Sequence, residues 1–173
     1  MESNRILLRH WKESDAEDLF KAASNPIIGL RAGWKPHKNI NESLEIINTI
    51  FNNDRTYAIE LKENNKVIGS IGYLTNDISH LKNLKENEVE IGYWVAEDYW
   101  NRGICTEALK LLIKYLFEIK KFKVIWGTFF FDNLASGKVM EKCGFKDTKE
   151  QTYLSDLKES KDKLVKIMKL ENK

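Results

Sequence analysis

"EVEIGYWVAEDYWNRGICTEALKLL", residues 88–112, runs from a strand-like segment through a polar, glycine-bearing turn into a helix. "VEIGYWV" (89–95) reads as a strand, and "CTEALKLLIKYLFEI" (105–119) carries its apolar residues at helical spacing. Between them Gly103 follows Arg102 directly. A glycine at a strand-to-helix junction lets backbone N–H groups approach an anion with no side chain in the way. Residues 103–106 then aim their N–H groups at that anion, and Arg102 adds a charge-assisted contact at its rim. The pyrophosphate of a nucleotide-bearing cofactor meets this requirement. "WNRGIC" (100–105) is neither a complete P-loop nor a GxGxxG fingerprint, so on its own the glycine also reads as an ordinary helix start.

Outward from this centre, the chain alternates strands and helices. "RILLRHW" (5–11) is a short strand, followed by a helix from about Ser14, capped by it, that ends before Pro26 and turns Leu19 and Ala23 inward. A second helix from about Asn41 to Phe51 aligns Leu44, Ile47 and Phe51. "DRTYAIELKENNKVIGSIGYL" (54–74) reads as two strands joined by a turn at Glu63–Asn65. The loop with Arg31, Trp34 and His37 shows no simple period; its aromatic closes a pocket or simply packs. Downstream, "FKVIWGTFFF" (122–131) resumes a strand, "NLASGKVMEKCGF" (133–145) supplies a capped helix, and "DKLVKIMKL" (162–170) reads as an edge strand. The order predicts an α+β fold, a mixed and largely antiparallel sheet interrupted by helices, with no repeat or flexible linker dividing it.

Composition narrows the function. A formal charge of +2, with acids interspersed among the lysines, argues against a nucleic-acid groove. No long uncharged apolar run suggests a membrane span, and a cytoplasmic protein is expected. Cys105 and Cys143 form neither a disulfide framework nor a close metal pair, and His10, His37 and His80 are isolated, so no metal is expected.

The opening stretch together with "FFFDNLASGKVMEKCGF" (129–145) resembles the GNAT superfamily of N-acetyltransferases, in particular its group similar to ribosomal-protein N-terminal acetyltransferases. The resemblance spans most of residues 5–170 and implies one domain over that range, with a split in the sheet admitting a pantetheine arm. It implies acetyl-CoA as donor cosubstrate and direct transfer to a primary amine. Trp100, Gly103 and Cys105 take the spacing of the family's pyrophosphate motif, with Trp100 in place of a polar residue and Cys105 in place of a glycine or alanine. The implied cofactor contacts are Tyr93, Trp94 and Val95 on the strand, Arg102, Gly103, Ile104, Cys105 and Thr106 at the helix start, and Asn133 and Ser136 beneath the pantetheine. Asn133 and Ser136 also read as local helix caps.

Glu90 is the acid/base candidate, because this part of the family sheet reaches the amine; a salt bridge or solvent-facing charge is the plainer reading, and Glu88 the nearest competitor on the same face. A backbone N–H near Val95 polarises the acetyl carbonyl. Ser136 is a candidate donor to the departing thiolate, whereas Tyr93 is expected to pack opposite the glutamate face. Cys105 and Cys143 are expected to be packing residues rather than acetylated nucleophiles. The acceptor is an amine-bearing small molecule, such as a polyamine or aminoglycoside, or a protein N-terminus, with neither nucleic acid nor membrane as partner and assembly as monomer or homodimer. A noncatalytic acetyl-CoA-binding regulatory module is the alternative. The cofactor assignments require an open sheet groove meeting the 102–106 loop.

Overall fold

The computed structural model describes residues 1–153 and 163–172. One seven-stranded sheet runs through the molecule in the order β1-β2-β3-β4-β5-β7-β6. The strands are β1 (Ile6–His10), β2 (Thr56–Leu61), β3 (Val67–Leu74), β4 (Glu88–Val95), β5 (Val124–Phe130), β6 (Lys146–Tyr153) and β7 (Leu164–Glu171). Every neighbouring pair is antiparallel except β4 and β5, which are parallel. A parallel pair needs a crossover, and α4 (Ile104–Glu118) supplies it.

The strand alternation seen in the sequence sorts β4 onto two faces. Val89, Ile91 and Val95 join the buried cluster that includes Ile104, Ala108, Leu109, Leu112 and Leu116 of α4. The other face meets α1 (Ala16–Ala23) and α3 (Ile40–Thr49): Leu19, Ala23 and Ile47 are buried with Ala58 and Val67, and Trp94 packs against them. Helices on both faces leave Glu90, Gly92 and Trp94 pointing to the α1/α3 side.

Three expectations need correction. Ser14 caps no helix; it lies within the 3-10 turn Glu13–Asp15, and the neighbouring Asp15 carboxylate accepts the Lys12 N–H at 2.9 Å. Pro26 does more than follow a helix: it opens α2 (Pro26–Ala32), with Asn25 accepting the Ile27 N–H and Gly33 closing the helix at φ 87°. Arg31 therefore sits on the last turn of a helix rather than in an irregular loop. The final strand is not an edge. β7 lies between β5 and β6, and Asp162, where it was expected to begin, lies outside the described residues. The edge belongs to the polar β6, whose register shifts between Asp147 and Gln151 around a left-handed Lys149. Polar side chains and an irregular register blunt an edge against further pairing.

Arg9 on β1 ties the first turn to the sheet. Its guanidinium holds both oxygens of Asp15, at 2.7 and 2.9 Å, and Glu60 of β2 at 2.6 Å, all largely buried. Removing the cation strands two carboxylates away from water, which costs about 3–5 kcal/mol. Arg9→Met is expected to lose that much in urea unfolding at neutral pH; a loss under about 1 kcal/mol would show that Asp15 and Glu60 regain solvent.

Candidate active site

The parallel pairing of β4 with β5 covers only Glu88 to Ile91, opposite Val124 to Gly127. Both strands continue, β4 to Val95 and β5 to Phe130, so they diverge toward their C-terminal ends. The β3–β4 ladder fixes what the divergence exposes. Ala96 N–H bonds Ile68 C=O at 2.8 Å, one step beyond the Gly69–Val95 pair. Hydrogen-bonding direction alternates along an antiparallel strand, so Trp94, Gly92 and Glu90 also turn their main chain toward β3. Tyr93 and Val95 then direct theirs toward the gap that β5 has left. The Val95 carbonyl accepts the Trp100 indole N–H at 2.7 Å, which anchors the next loop to the rim of the gap.

Beyond that rim, Asn101 (φ 60°) and Gly103 (φ 75°) bracket Arg102 in left-handed conformations before α4 begins. No side chain caps α4. Among the described residues its first three N–H groups, Ile104 to Thr106, have no hydrogen-bond partner, and a Cβ at Gly103 would meet nothing nearer than Arg5 Nη2 at 3.8 Å. Arg5 reaches the same loop from β1's approach: it donates to the Arg102 carbonyl at 3.1 Å and pairs with Glu107. The Arg102 guanidinium lies 5.3 Å from the centre of the Tyr99 ring. These features fit a pyrophosphate.

A cleft of about 410 Å³ opens on the α1/α3 side of the sheet, beside the divergence. Glu90, Tyr93, Trp94, Asn133 and Ser136 all line it; Val95 at the end of β4, Arg102 and Gly103 in the loop, and Ile104 to Thr106 on the first turn of α4 lie outside it. Glu90 is 2% exposed. Its Oε2 accepts from Ser79 Oγ at 2.8 Å and the His80 N–H at 2.9 Å, and its Oε1 accepts from Thr128 Oγ1 at 3.0 Å. Three donors hold the carboxylate in one orientation within the cleft. Glu88 shares the face, yet it accepts the Trp126 indole N–H at 2.9 Å and does not line the cleft.

Asn133 precedes α5 (Leu134–Lys142) and makes no side-chain cap, so its amide is uncommitted to the helix. Ser136 is engaged. The Tyr93 hydroxyl donates to the Ser136 carbonyl at 2.9 Å and lies 3.1 Å from Ser136 Oγ. A phenol has one proton, so Ser136 donates to the Tyr93 oxygen in that arrangement. Burial pushes the Tyr93 hydroxyl up, and its ring packs against the α4-side cluster, opposite Glu90, as its strand position predicts. Burial also pushes the Cys105 thiol up to about 12 and the Cys143 thiol up to about 11. Neither is a thiolate near neutral pH, which removes the basis for a cysteine nucleophile.

Residues 5–146 match the acetyltransferase (GNAT) domain family. The chain belongs to that family. It is an acetyltransferase, and its open, mostly antiparallel sheet matches the fold of GNAT neighbours. An uncharacterized N-acetyltransferase of Bacillus subtilis strain 168, YoaA, is 27% identical over 150 residues, covering 84% of this chain and 81% of that one. Among solved structures, a GNAT-family acetyltransferase from Bacillus anthracis superposes with a TM-score of 0.81 at 20% identity over 99% of this chain and 97% of that one. A spermidine N-acetyltransferase from Vibrio cholerae, solved with CoA and spermine, gives 0.76 at 17% identity over 98% and 96%. A ribosomal-protein-S5-alanine acetyltransferase from Vibrio fischeri gives 0.72 at 19% over 99% and 96%.

Several site features of this GNAT chain have no local signal. Arg5 stands far from Gly103 in sequence, and the three donors to Glu90 come from a polar connection and from β5. Gly92 carries a hint, a small residue in an otherwise bulky strand: a Cβ added there meets nothing within 4 Å, so it forms an open floor for the cleft.

Proposed function

We propose that the protein transfers the acetyl group of acetyl-CoA directly to a primary amine bound beside Glu90. One observation carries the reading. A buried, oriented carboxylate shares a cleft with the β4–β5 gap, whose loop leads to an uncapped helix N-terminus. In this reading the N–H groups of residues 103–106, with Arg102 and Arg5, hold the pyrophosphate. The main chain of Tyr93 and Val95 and the Asn133 amide orient the pantetheine, and Trp94 walls the cleft. The Val95 N–H polarises the acetyl carbonyl. Glu90 removes the amine proton directly or through a water, and Ser136 turns its hydroxyl away from the Tyr93 oxygen to donate toward the thiolate that departs.

The likeness in fold to a ribosomal-protein acetyltransferase and to a spermidine acetyltransferase supports two acceptor classes, a protein N-terminal amine and a small amine-bearing molecule. No helix among the described residues is long and apolar enough to cross a membrane, in keeping with a cytoplasmic setting. Calorimetry should detect acetyl-CoA binding to the folded, ligand-free protein, and CoA release should be measurable with peptide N-termini, polyamines or aminoglycosides. Absent binding removes the reading; binding without release for any amine leaves a regulatory acetyl-CoA-binding module.

A further inference from the structure

The cleft's charge limits what enters it. Among the described residues Glu90 is the one carboxylate that lines it, and its oxygens already accept three hydrogen bonds. Against it stand two guanidiniums, Arg31 and Arg55. Arg55 is committed: it donates to Thr75 Oγ1 at 2.6 Å and lies 3.7 Å from Asp77. Arg31 has no carboxylate partner among the described residues; its guanidinium lies 4.5 Å from the centre of the Trp100 ring. A guanidinium seated on an aromatic face keeps its planar N–H fork available at the edge. Lys163 adds a third cation nearby. Its Nζ donates to the Leu30 carbonyl at 3.2 Å and sits 5.0 Å from the ring of Phe130, another lining residue. The remaining walls are largely apolar, with Trp34 and Trp94 edge to face at 5.5 Å and Phe51 and Phe130 also lining.

A polycationic acceptor enters such a cleft at a disadvantage, since each ammonium beyond the reacting one meets cations and, among the described residues, no second lining carboxylate. We propose that Arg31 is a specificity-determining residue that binds a carboxylate on the acceptor. The preferred substrate is then an apolar monoamine bearing its own carboxylate, of the amino-acid class. This rests on the acetyl-transfer reading and narrows its acceptor.

The test is steady-state kinetics of the full chain with acetyl-CoA and four probes: L-phenylalanine, phenethylamine, spermidine and an aminoglycoside such as kanamycin. Phenethylamine is phenylalanine without its carboxylate, so the pair isolates the group assigned to Arg31. The expected result is kcat/KM about 10-fold or more higher for phenylalanine than for phenethylamine, and higher again than for the polycations. Arg31→Gln should bring the phenylalanine-to-phenethylamine ratio close to about 1 by raising the KM for phenylalanine, with the KM for acetyl-CoA unchanged; Arg31→Lys should recover part of the ratio. Preference for spermidine, kanamycin or a peptide N-terminus over phenylalanine, or an Arg31→Gln effect confined to acetyl-CoA, overturns this inference and leaves acetyl transfer standing. Acetylation of neither these probes nor any peptide overturns both.

Discussion

Glu90→Gln is expected to lower kcat by at least about 100-fold while leaving acetyl-CoA affinity within a factor of about two. The substitution is close to isosteric, and the partners of Glu90 permit it. A glutamine oxygen can occupy the place of Oε2, accepting from Ser79 Oγ and the His80 N–H, while its amide nitrogen donates to Thr128 Oγ1, a hydroxyl that can turn to accept. The packing survives and the proton acceptor does not. The loss should be largest below the pH at which the acceptor amine deprotonates unaided. Glu88→Gln, which disturbs a contact to Trp126 away from the cleft, should keep turnover near wild type. A folded Glu90→Gln protein with the wild-type turnover and pH profile would end the base assignment and leave Glu88 or substrate-assisted proton loss.

Gly92→Leu should be as damaging to transfer for a different reason. Gly92 has an ordinary backbone conformation and lies on the Glu90 face, where an added Cβ finds open space. Leucine there projects into the volume assigned to the reactants and displaces them, with a loss of at least about 100-fold expected in kcat/KM for the amine. Stability should hold or rise, because glycine inside a strand is unfavourable by about 0.5–1 kcal/mol. Gly127→Ala makes the contrast, since its Cβ would come within 2.5 Å of Met140 Sδ. That change should destabilise the core, while Gly92→Leu should disable a well-folded protein. Thermal unfolding beside initial rates separates the two, and undiminished transfer in Gly92→Leu would move the acceptor out of this cleft.

Much of this arrangement was legible before any coordinates. Residues 88–118 announce strand, turn and helix because their spacing and the glycine between them are local signals, and alternation alone puts Glu90 and Tyr93 on opposite faces. Strand order is not local. The apolar "LVKIM" of β7 gives no hint that "KDTKEQTY", rich in polar side chains, completes the sheet outside it, since edge strands shed the hydrophobic pattern that identifies their neighbours. The α2 helix was readable from Asn25, Pro26 and Gly33, whose cap, first-turn and terminating chemistry outweighs its lack of a long period. The donors around Glu90 and the approach of Arg5 to Gly103 arise only when distant segments close on one another.

Because β4 and β5 part company after four paired residues, the sheet has four margins instead of two. The outer pair, β1 and β6, behave as such margins usually do: one is five residues long and the other is irregular and polar. The inner pair faces itself across a wedge, its main chain unzipped but sheltered by helices on either side. A margin in the open recruits whole polypeptide strands; one folded into the interior admits only a slender, flexible molecule. The same unmet hydrogen-bonding capacity that would make an exposed ribbon prone to polymerise is here converted, by the angle between two neighbours, into a slot with a size limit.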